Sequence, residues 1–161
     1  MEKVNIRPIE AKDNAAIRKI IRTVLEEYGL DREGTAYNDP SLNDMTAFYQ
    51  ADGHLYLIAE IENKVLGGGG IGPLPNSDGA ICELQKMYFS TDARGKGLGT
   101  QMITACLNAA KSMGYTQCYL ETDPDMTVAQ KMYLKHGFRY LDKAVGCTGH
   151  SACEVWMIKD L

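Results

Sequence analysis

The sequence predicts an α+β fold, with a central and mostly antiparallel sheet combined with helices, in a single domain over residues 1–161. Three observations lead to this prediction. The length suits one domain, since domains typically hold about 100–150 residues. The composition, with 45% hydrophobic and 24% charged residues, is ordinary for a globular protein. Strand-like segments follow one another in the middle of the chain, whereas a doubly wound parallel fold would alternate strands and helices strictly.

Apolar periodicity in the first half of the chain predicts a strand, a helix, a loop and a hairpin. The clearest helix covers Ile17–Tyr28, with Asp13 or Asn14 as its cap and Gly29 as its stop. The polar residues 62–64 separate two apolar runs, which predicts the hairpin. The expected elements are a strand over Val4–Ile9, this helix, a loop over 30–41, a short helix over Leu42–Tyr49, and strands over Leu55–Ile61 and Val65–Ile71.

The second half of the chain shows longer helical patterns between strands. Pro73, Pro75 and Gly79 break the chain before the next strand begins. No repeat, low-complexity segment or linker divides the chain. The expected elements are a strand over Ile81–Phe89, a helix over Leu98–Met113 closed by Gly114, a strand over Tyr115–Glu121, a helix that opens at Pro124-Asp125 and stops before Gly137, and strands over Phe138–Leu141 and Glu154–Ile158.

The charge and the apolar content exclude several classes of protein. The 17 basic and 21 acidic residues give a net charge of −4, which argues against a dedicated nucleic-acid binder. No segment approaches the roughly 20 apolar residues that span a bilayer, and the charged N-terminus has no signal segment behind it, so we expect a cytoplasmic protein without membrane contact. Five cysteines without a CxxC pair and three scattered histidines predict free, mostly buried thiols and no metal site.

Two glycine-rich segments could hold phosphate, and their contexts differ. Gly67–Gly72 formally matches the GxGxxG pattern of dinucleotide-binding loops. Such a loop needs a helix directly behind it, whose amides meet the pyrophosphate. Because Pro73 and Pro75 follow instead, this segment predicts a glycine-rich strand in which backbones approach closely, and no dinucleotide site.

The second glycine-rich segment, Arg94–Thr100, lies between a predicted strand and a strongly amphipathic predicted helix. Its glycines permit positive φ and close approach of backbone amides to a ligand. The helix N-terminus adds a partial positive charge, and Arg94 and Lys96 add full charges. It is not a Walker loop, because Gly97 follows the lysine. Taken alone, the segment is either an anion-binding loop or a solvated basic turn.

Two further blocks accompany this loop, and together they resemble a known family. Glu83–Phe89 followed by Arg94–Gly99 resembles the acyl-CoA motif of the GNAT superfamily of N-acetyltransferases, with its signature of Gln or Arg, two residues, Gly, one residue, and Gly or Ala. Ala129–Phe138 resembles the second helix of the family, with its alanine, tyrosine and Gly-Phe ending. The spacing of the blocks also agrees, so the resemblance covers essentially the whole chain. The loop residues that match the signature are Arg94, Gly97 and Gly99.

The resemblance implies a GNAT-like fold in which pantetheine of acetyl-CoA lies between two splayed parallel strands and pairs with the first like an added strand. These strands would be Ile81–Phe89 and Tyr115–Glu121. Three consecutive apolar residues, 87–89, independently favour a β-bulge or a strand buried on both faces. Many members have Asn where this chain has Met126, so polar contacts from that helix are not predicted. The implied cofactor-binding residues are Met87, Tyr88, Phe89, Arg94, Gly95, Lys96, Gly97, Leu98, Gly99, Thr100 and Ala129.

Acetyl transfer to an amine requires a base for the ammonium, stabilisation of the developing oxyanion and a proton for the departing thiolate. The resemblance implies that the Met87 amide stabilises the oxyanion and that Tyr133 donates the proton to the thiolate. The alternative role for Tyr133 is packing in the core. Glu83, a carboxylate in an otherwise apolar strand, is the leading base, and Glu121 is its substitute. The alternative for Glu83 is a substrate-binding or merely edge-exposed carboxylate.

The remaining polar residues carry weaker signals. His136 precedes a helix stop, where a histidine commonly caps carbonyl groups. His54 and His150 have no partner at a recognisable spacing. Cys147 and Cys153 bracket a loop that could border an acceptor pocket.

The expected function is therefore transfer of the acetyl group of acetyl-CoA to a primary amine by direct attack, with a small-molecule acceptor. Two alternatives stay open: a protein or peptide acetyltransferase, and a non-catalytic acyl-CoA-binding module. The first would show an open groove over the sheet, whereas a small-molecule enzyme would show a closed pocket beneath residues 28–49. The sequence leaves open a homodimer, and it names neither the acceptor nor the acyl length.

Overall fold

The computed structural model describes residues 3–146 and 148–161, and within them seven strands form one mixed sheet. The strands are β1 (Val4–Pro8), β2 (Leu55–Ile61), β3 (Lys64–Pro73), β4 (Ile81–Phe89), β5 (Gln117–Thr122), β6 (Arg139–Leu141) and β7 (Val155–Asp160). Their order in the sheet is β1-β2-β3-β4-β5-β7-β6. β4 and β5 pair in parallel, and the other neighbours pair antiparallel. The expected mixed and mostly antiparallel α+β fold is confirmed.

Helices cover both faces of this sheet. They are α1 (Asn14–Glu27), α2 (Met45–Phe48), α3 (Leu98–Ser112) and α4 (Thr127–Lys135). Side chains of a strand alternate between faces, so Tyr56 and Ile58 of β2 pack with α1 and α2, whereas Leu57 and Ala59 pack with α3 and α4. In the part of the chain that the structure describes, no helix combines the length and apolar character needed to cross a bilayer.

The structure corrects the ends of several expected elements. The helix expected over Leu42–Tyr49 is a 3₁₀ turn, Pro40–Asn43, followed by α2. The helix expected to open at Pro124 begins at Thr127. It starts late because Asp123 forms a turn first: its carboxylate accepts from the Asp125 amide and its carbonyl accepts from the Met126 amide. Met126 therefore precedes the helix.

The first helix begins where the sequence predicts, but its cap differs. Asp13 is the N-cap residue of α1, yet its side chain makes no capping hydrogen bond. The carboxylate instead accepts two hydrogen bonds from Arg7, at 2.7 and 2.9 Å. The same carboxylate also accepts from the Glu10 amide at 2.8 Å, so it closes the short turn before α1 and does not cap α1 itself.

The glycine run of β3 is a strand, as predicted. Its turn from β2 places Glu62 and Asn63 at φ 51° and 64°, the left-handed conformation of tight hairpins. A Cβ at Gly68 would lie 2.6 Å from the Leu57 carbonyl oxygen and 2.5 Å from the Tyr56 ring. Only glycine allows this approach, so the run serves packing between strands.

At the centre of the sheet, β4 has a bulge opposite β3 and diverges from β5. Gly68 pairs with Tyr88 and Gly70 with Gln85, which leaves two residues of β4 opposite one of β3. Lys86 stands in this bulge at φ 48°. The bulge interpretation of residues 87–89 is therefore right, although the strained residue is their neighbour. The ladder between β4 and β5 ends at Glu83, so beyond it the two strands diverge and open a cleft.

The cysteines follow the expected burial where the structure describes them. Cys82, Cys106 and Cys118 are buried, and Cys153 is half-buried, all as free thiols. Cys147 lies outside the described residues.

Candidate active site

The diverging ends of β4 and β5 open into a cavity of about 370 Å³. Residues 83–88 of β4 and residues 120–123 at the end of β5 form two of its walls. Residues from the segment between α1 and β2 cover it, namely Leu30, Thr35, Ala36, Asp39, Pro40, Ser41 and Phe48. The cavity is thus lined by residues of the 28–49 segment that the sequence analysis names.

Glu83 is a buried carboxylate in this cavity, with 6% of its surface exposed. Burial raises its pKa to about 6, although a hydrogen bond from Gln85 opposes the shift. The Gln85 amide nitrogen donates to Glu83 at 2.7 Å, and the Gln85 amide oxygen accepts from the Tyr49 hydroxyl at 2.8 Å. These two hydrogen bonds fix the orientation of the carboxylate. They leave it able to exchange a proton near neutral pH.

Glu121 lies across the cleft from Glu83, on β5. The Tyr119 hydroxyl donates to its carboxylate at 2.6 Å, and the Thr148 hydroxyl donates to its other oxygen. The Tyr119 oxygen in turn accepts from the Val145 amide at 3.1 Å. The substitute base of the sequence analysis is therefore a carboxylate held by two hydroxyl donors.

Sequence reasoning missed a cluster of three charged groups in the cavity wall. Asp39 accepts from a His150 ring nitrogen at 2.9–3.0 Å and from the Lys86 ammonium at 2.8 Å. Burial by itself would lower the pKa of His150, but Asp39 outweighs it and the pKa is raised. The sequence shows no partner for His150 at a recognisable spacing because its partner, Asp39, is 111 residues away in the chain.

Glu83, Glu121 and His150 form a group whose potential ligand atoms all lie within 4.8 Å of one another. Such a group has the donor chemistry to hold a cation, either a metal ion or an ammonium. The absence of a metal site stays a prediction of the sequence analysis.

Tyr133 of α4 lines the same cavity and is buried against Phe138, with ring centroids 5.8 Å apart. Burial raises the pKa of its phenol. Among residues 3–146 and 148–161, its hydroxyl has no hydrogen-bond partner, whereas the hydroxyls of Tyr49, Tyr56 and Tyr115 each have one. A buried hydroxyl that lines a cavity without a partner is available to a ligand.

The glycine loop before α3 has the backbone shape that the sequence predicts. Gly95 and Gly97 adopt positive φ, 79° and 73°, and Gly97 is the N-cap of α3. A Cβ on either glycine would meet nothing within 4 Å, so the space in front of the helix N-terminus is open. Amides turned outward by positive φ at a helix N-terminus fit a pyrophosphate group.

The other residues of this loop divide between surface and interior. Lys96 and Thr100 are exposed, and Leu98 is buried. Arg94 pairs with Glu27 of α1 at 2.8 Å, which partly neutralises a charge that the sequence analysis assigned to the anion site. A Cβ at Gly99 would lie 2.8 Å from the Met132 sulfur, so this glycine brings α3 close to α4.

Residues 87–89 border the cleft with their backbone and anchor β4 with their side chains. Met87 and Phe89 pack on the α3 face of the sheet, and Tyr88 packs on the α1 face. Because the ladder to β5 ends at Glu83, the edge of β4 at residues 87–89 has no strand partner on that side within the described residues. An extended ligand arm can pair with such an edge. Ala129 of α4, half-buried, packs against the core nearby.

Two weaker expectations can be compared with the structure. The His136 ring nitrogen lies 2.9 Å from the Met132 carbonyl oxygen at the end of α4, which is the capping contact expected of it. Thr148, His150 and Cys153 line the cavity, so the loop that contains them borders it.

Taken together, the splayed parallel strands, the bulge beside them and the glycine N-cap loop define the fold of the GNAT N-acetyltransferases. The sequence model of the acetyltransferase (GNAT) family matches residues 17–138. The chain belongs to this family, and it is an acetyltransferase.

Relatives in sequence and in structure agree with this assignment. The chain is 44% identical over 157 residues to the uncharacterized N-acetyltransferase YjgM of Escherichia coli, covering 97% of this chain and 94% of that protein. It is 31% identical to human N-acetyltransferase 8B, over 71% of this chain and 49% of that protein.

Solved structures share the fold at lower identity. An acetyltransferase of the GNAT family from Staphylococcus aureus has a TM-score of 0.87 at 18% identity, covering 98% of this chain and 99% of that one. YncA from Salmonella typhimurium, solved with acetyl-CoA, has a TM-score of 0.77 at 20% identity over 98% and 94% of the two chains. PaiA from Thermoplasma acidophilum, solved with coenzyme A, has a TM-score of 0.75 at 17% identity over 99% of each chain.

Proposed function

We propose that residues 1–161 act as a single unit that transfers the acetyl group of acetyl-CoA to a primary amine of a small molecule by direct attack. The observation that carries the proposal is one cavity lined by a buried carboxylate, Glu83, and by the hydroxyl of Tyr133, which has no hydrogen-bond partner among the described residues. These are a proton acceptor and a proton donor, the pair that the reaction needs.

The residues around the cleft fit acetyl-CoA. The loop 94–100 would hold the pyrophosphate at the N-terminus of α3. The free edge of β4 at Met87 and Phe89 would pair with the pantetheine arm, and the small side chain of Ala129 would let α4 approach that arm. When bound, acetyl-CoA supplies an acetyl group activated as a thioester.

Glu83 then accepts the proton of the incoming ammonium, directly or through a water molecule. An alkylammonium with a pKa near 10.4 gives its proton to a carboxylate with a pKa of about 6 only uphill, by about 6 kcal/mol. Glu83 therefore acts as a relay to solvent. The Met87 amide donates to the developing oxyanion, and the Tyr133 hydroxyl holds the proton required at the sulfur.

A release assay for coenzyme A tests the proposal. Purified protein receives acetyl-CoA and either a panel of small primary amines or lysine-containing peptides. We expect release with small amines that exceeds the release with peptides, because residues 30–48 cover the cavity. Formation of coenzyme A from acetyl-CoA with peptides alone would favour a protein acceptor. Binding of coenzyme A by a protein that forms none from acetyl-CoA with any amine would favour a non-catalytic binding module.

A further inference from the structure

The cavity contains more negative than positive side chains. Four carboxylates line it, those of Asp39, Glu83, Glu121 and Asp123, against two basic groups, Lys86 and His150. Both basic groups bind the same carboxylate, Asp39. Even with the imidazole protonated, four acids against two bases leave an excess of two negative charges.

The carboxylates without a basic partner are Glu83, Glu121 and Asp123. Within residues 3–146 and 148–161, none of them makes a salt bridge to a lysine, arginine or histidine. Their hydrogen bonds come from neutral donors: an amide side chain, two hydroxyls and a backbone amide. Burial is the largest cause that raises the pKa of the Cys153 thiol to about 12, and the negative charges of all four acids add to it.

Two of these acids are spaced to hold one ammonium. The ligand atoms of Glu83 and Glu121 lie within 4.8 Å of each other. An ammonium nitrogen makes charge-assisted hydrogen bonds at about 2.8 Å, so it can bridge two oxygens up to about 5.6 Å apart. Burial strengthens this attraction, because the two charges have little water to solvate them.

We propose that the acceptor is an aliphatic amine without any anionic group, whose ammonium docks between Glu83 and Glu121. The inference rests on the proposed transfer to a small amine and adds its charge class. Glu121 positions the ammonium, and Glu83 both binds it and takes its proton. A second positive charge on the acceptor is favoured by Asp123, which lines the same cavity. A carboxylate on the acceptor would be repelled, because Asp39 already occupies both basic groups.

Calorimetric titration of the CoA-saturated protein tests the charge class through binding alone. The probes share a four-carbon chain: 1,4-diaminobutane, butylamine and 4-aminobutanoate. We expect the diamine to bind at least as tightly as butylamine, and 4-aminobutanoate to bind at least tenfold more weakly than butylamine. Equal or tighter binding of 4-aminobutanoate, or no binding of any probe, would overturn the inference.

A metal at the same group is a competing occupant, so the titration is done in the presence of a chelator. Amine binding that survives chelation supports the inference, and amine binding that requires added Mg²⁺ or Zn²⁺ contradicts it. Acetyl transfer to the same probes is measured in parallel. Cation-selective binding without transfer would contradict the proposed function alone, whereas transfer with a preference for 4-aminobutanoate would contradict the inference alone.

Two variants and one control assign the selectivity to the cavity. Glu121→Gln should narrow the difference in affinity between butylamine and 4-aminobutanoate, and Asp123→Asn provides a second test if the first variant fails to fold. Glu62→Gln, in the exposed turn between β2 and β3, removes the same charge at a residue that does not line the cavity and should leave the difference unchanged. Equal selectivity in all of these proteins would overturn the assignment.

Discussion

Two groups of buried carboxylates in this protein have opposite environments. Asp13 and Glu60, at the β1–β2 edge of the sheet, are 2% and 8% exposed, and Glu83 in the cavity is 6% exposed. Arg7 donates two hydrogen bonds to Asp13 and two to Glu60, at 2.7–3.1 Å. No guanidinium or ammonium among the described residues pairs with Glu83.

The difference shows how pairing decides what a buried acid can do. Burial tends to raise the pKa of Asp13, but Arg7 outweighs it and the pKa is lowered, and Arg7 also lowers the pKa of Glu60. The pKa of Glu83 is raised to about 6. An acid paired in this way stays ionised and holds structure together, whereas an unpaired one can exchange protons near pH 7 and is available for catalysis.

The largest expected effect is the loss of Arg7. Arg7→Met leaves two buried carboxylates without their cation, so we expect the free energy of unfolding to fall by about 3 kcal/mol or more in urea titrations at pH 7. The loss of wild-type stability at acidic pH follows from the same pairing. Stability from lowered pKa values is present above the unfolded values of about 4 and is lost as pH falls through the folded ones. A loss below about 1 kcal/mol at pH 7 would show that the network is not structural.

Two tyrosines provide the next test, because the hydroxyl of Tyr115 has a hydrogen-bond partner and that of Tyr133 has none in the part of the chain that the structure describes. Tyr133→Phe removes only the unpartnered hydroxyl, so we expect kcat to fall roughly 10²-fold with little change in melting temperature. Tyr115→Phe removes a hydroxyl that donates to the Gly53 carbonyl at 2.7 Å, outside the cavity. It should cost about 1 kcal/mol of stability and leave kcat intact. Normal turnover in a stable Tyr133→Phe protein would make Tyr133 a core residue.

The contribution of Glu83 to wild-type stability should have a pH dependence of the opposite sign to that of the Arg7 network, and Glu83→Gln removes this contribution. A carboxylate whose folded pKa exceeds the unfolded value of 4.5 contributes stability below pH 4.5 and loses it as pH rises through about 6. The free energy of unfolding of the variant should therefore exceed that of wild type by about 1–2 kcal/mol above pH 6, and this difference should vanish below pH 4.5. Denaturant titrations across pH 4–8 measure the difference. A variant less stable than wild type at pH 8 would contradict the raised pKa.

The smallest expected effect separates backbone strain from ligand binding at the two ends of α3. Gly97 and Gly114 both have positive φ, 73° and 93°, with open space at the Cβ position. Valine at either position strains the backbone and lowers stability. Only Gly97→Val should weaken the affinity for coenzyme A, by at least about tenfold, or 1.4 kcal/mol, measured by calorimetry. Equal affinity for coenzyme A in the two folded variants would show that this loop does not bind the cofactor.

Local patterns in the sequence predict a large part of this structure. β2 and β4 have the expected bounds, because their apolar runs end at turn residues. The positive φ of Gly95 and Gly97 also follows from the sequence, since the loop must turn between a strand and a helix. Glu83 and Tyr133 line one cavity, while their roles stay predictions.

What the sequence does not predict depends on contacts between distant segments. Asp39 and His150 meet although 111 residues separate them, and each lies in an irregular segment without periodicity. Lys86 joins them because the bulge in β4 gives it a positive φ, which no residue preference for lysine indicates. The late start of α4 has a similar cause, since Asp123 uses its own turn before the helix can begin.

The most direct test of the central claim, that unpaired Glu83 relays the proton of the acceptor amine, is kcat/KM for butylamine as a function of pH in wild type and Glu83→Gln. Both proteins retain His150, Lys86 and Glu121 around position 83, so only the carboxylate at position 83 is removed. We expect the wild type to exceed the variant by at least tenfold near pH 7.5. The ratio should shrink below pH 6, where Glu83 is protonated, and again as pH approaches the pKa of the amine. A variant whose KM for the acceptor is raised while kcat is unchanged, with a pH profile parallel to that of the wild type, would contradict the claim. Glu83 would then be a binding residue.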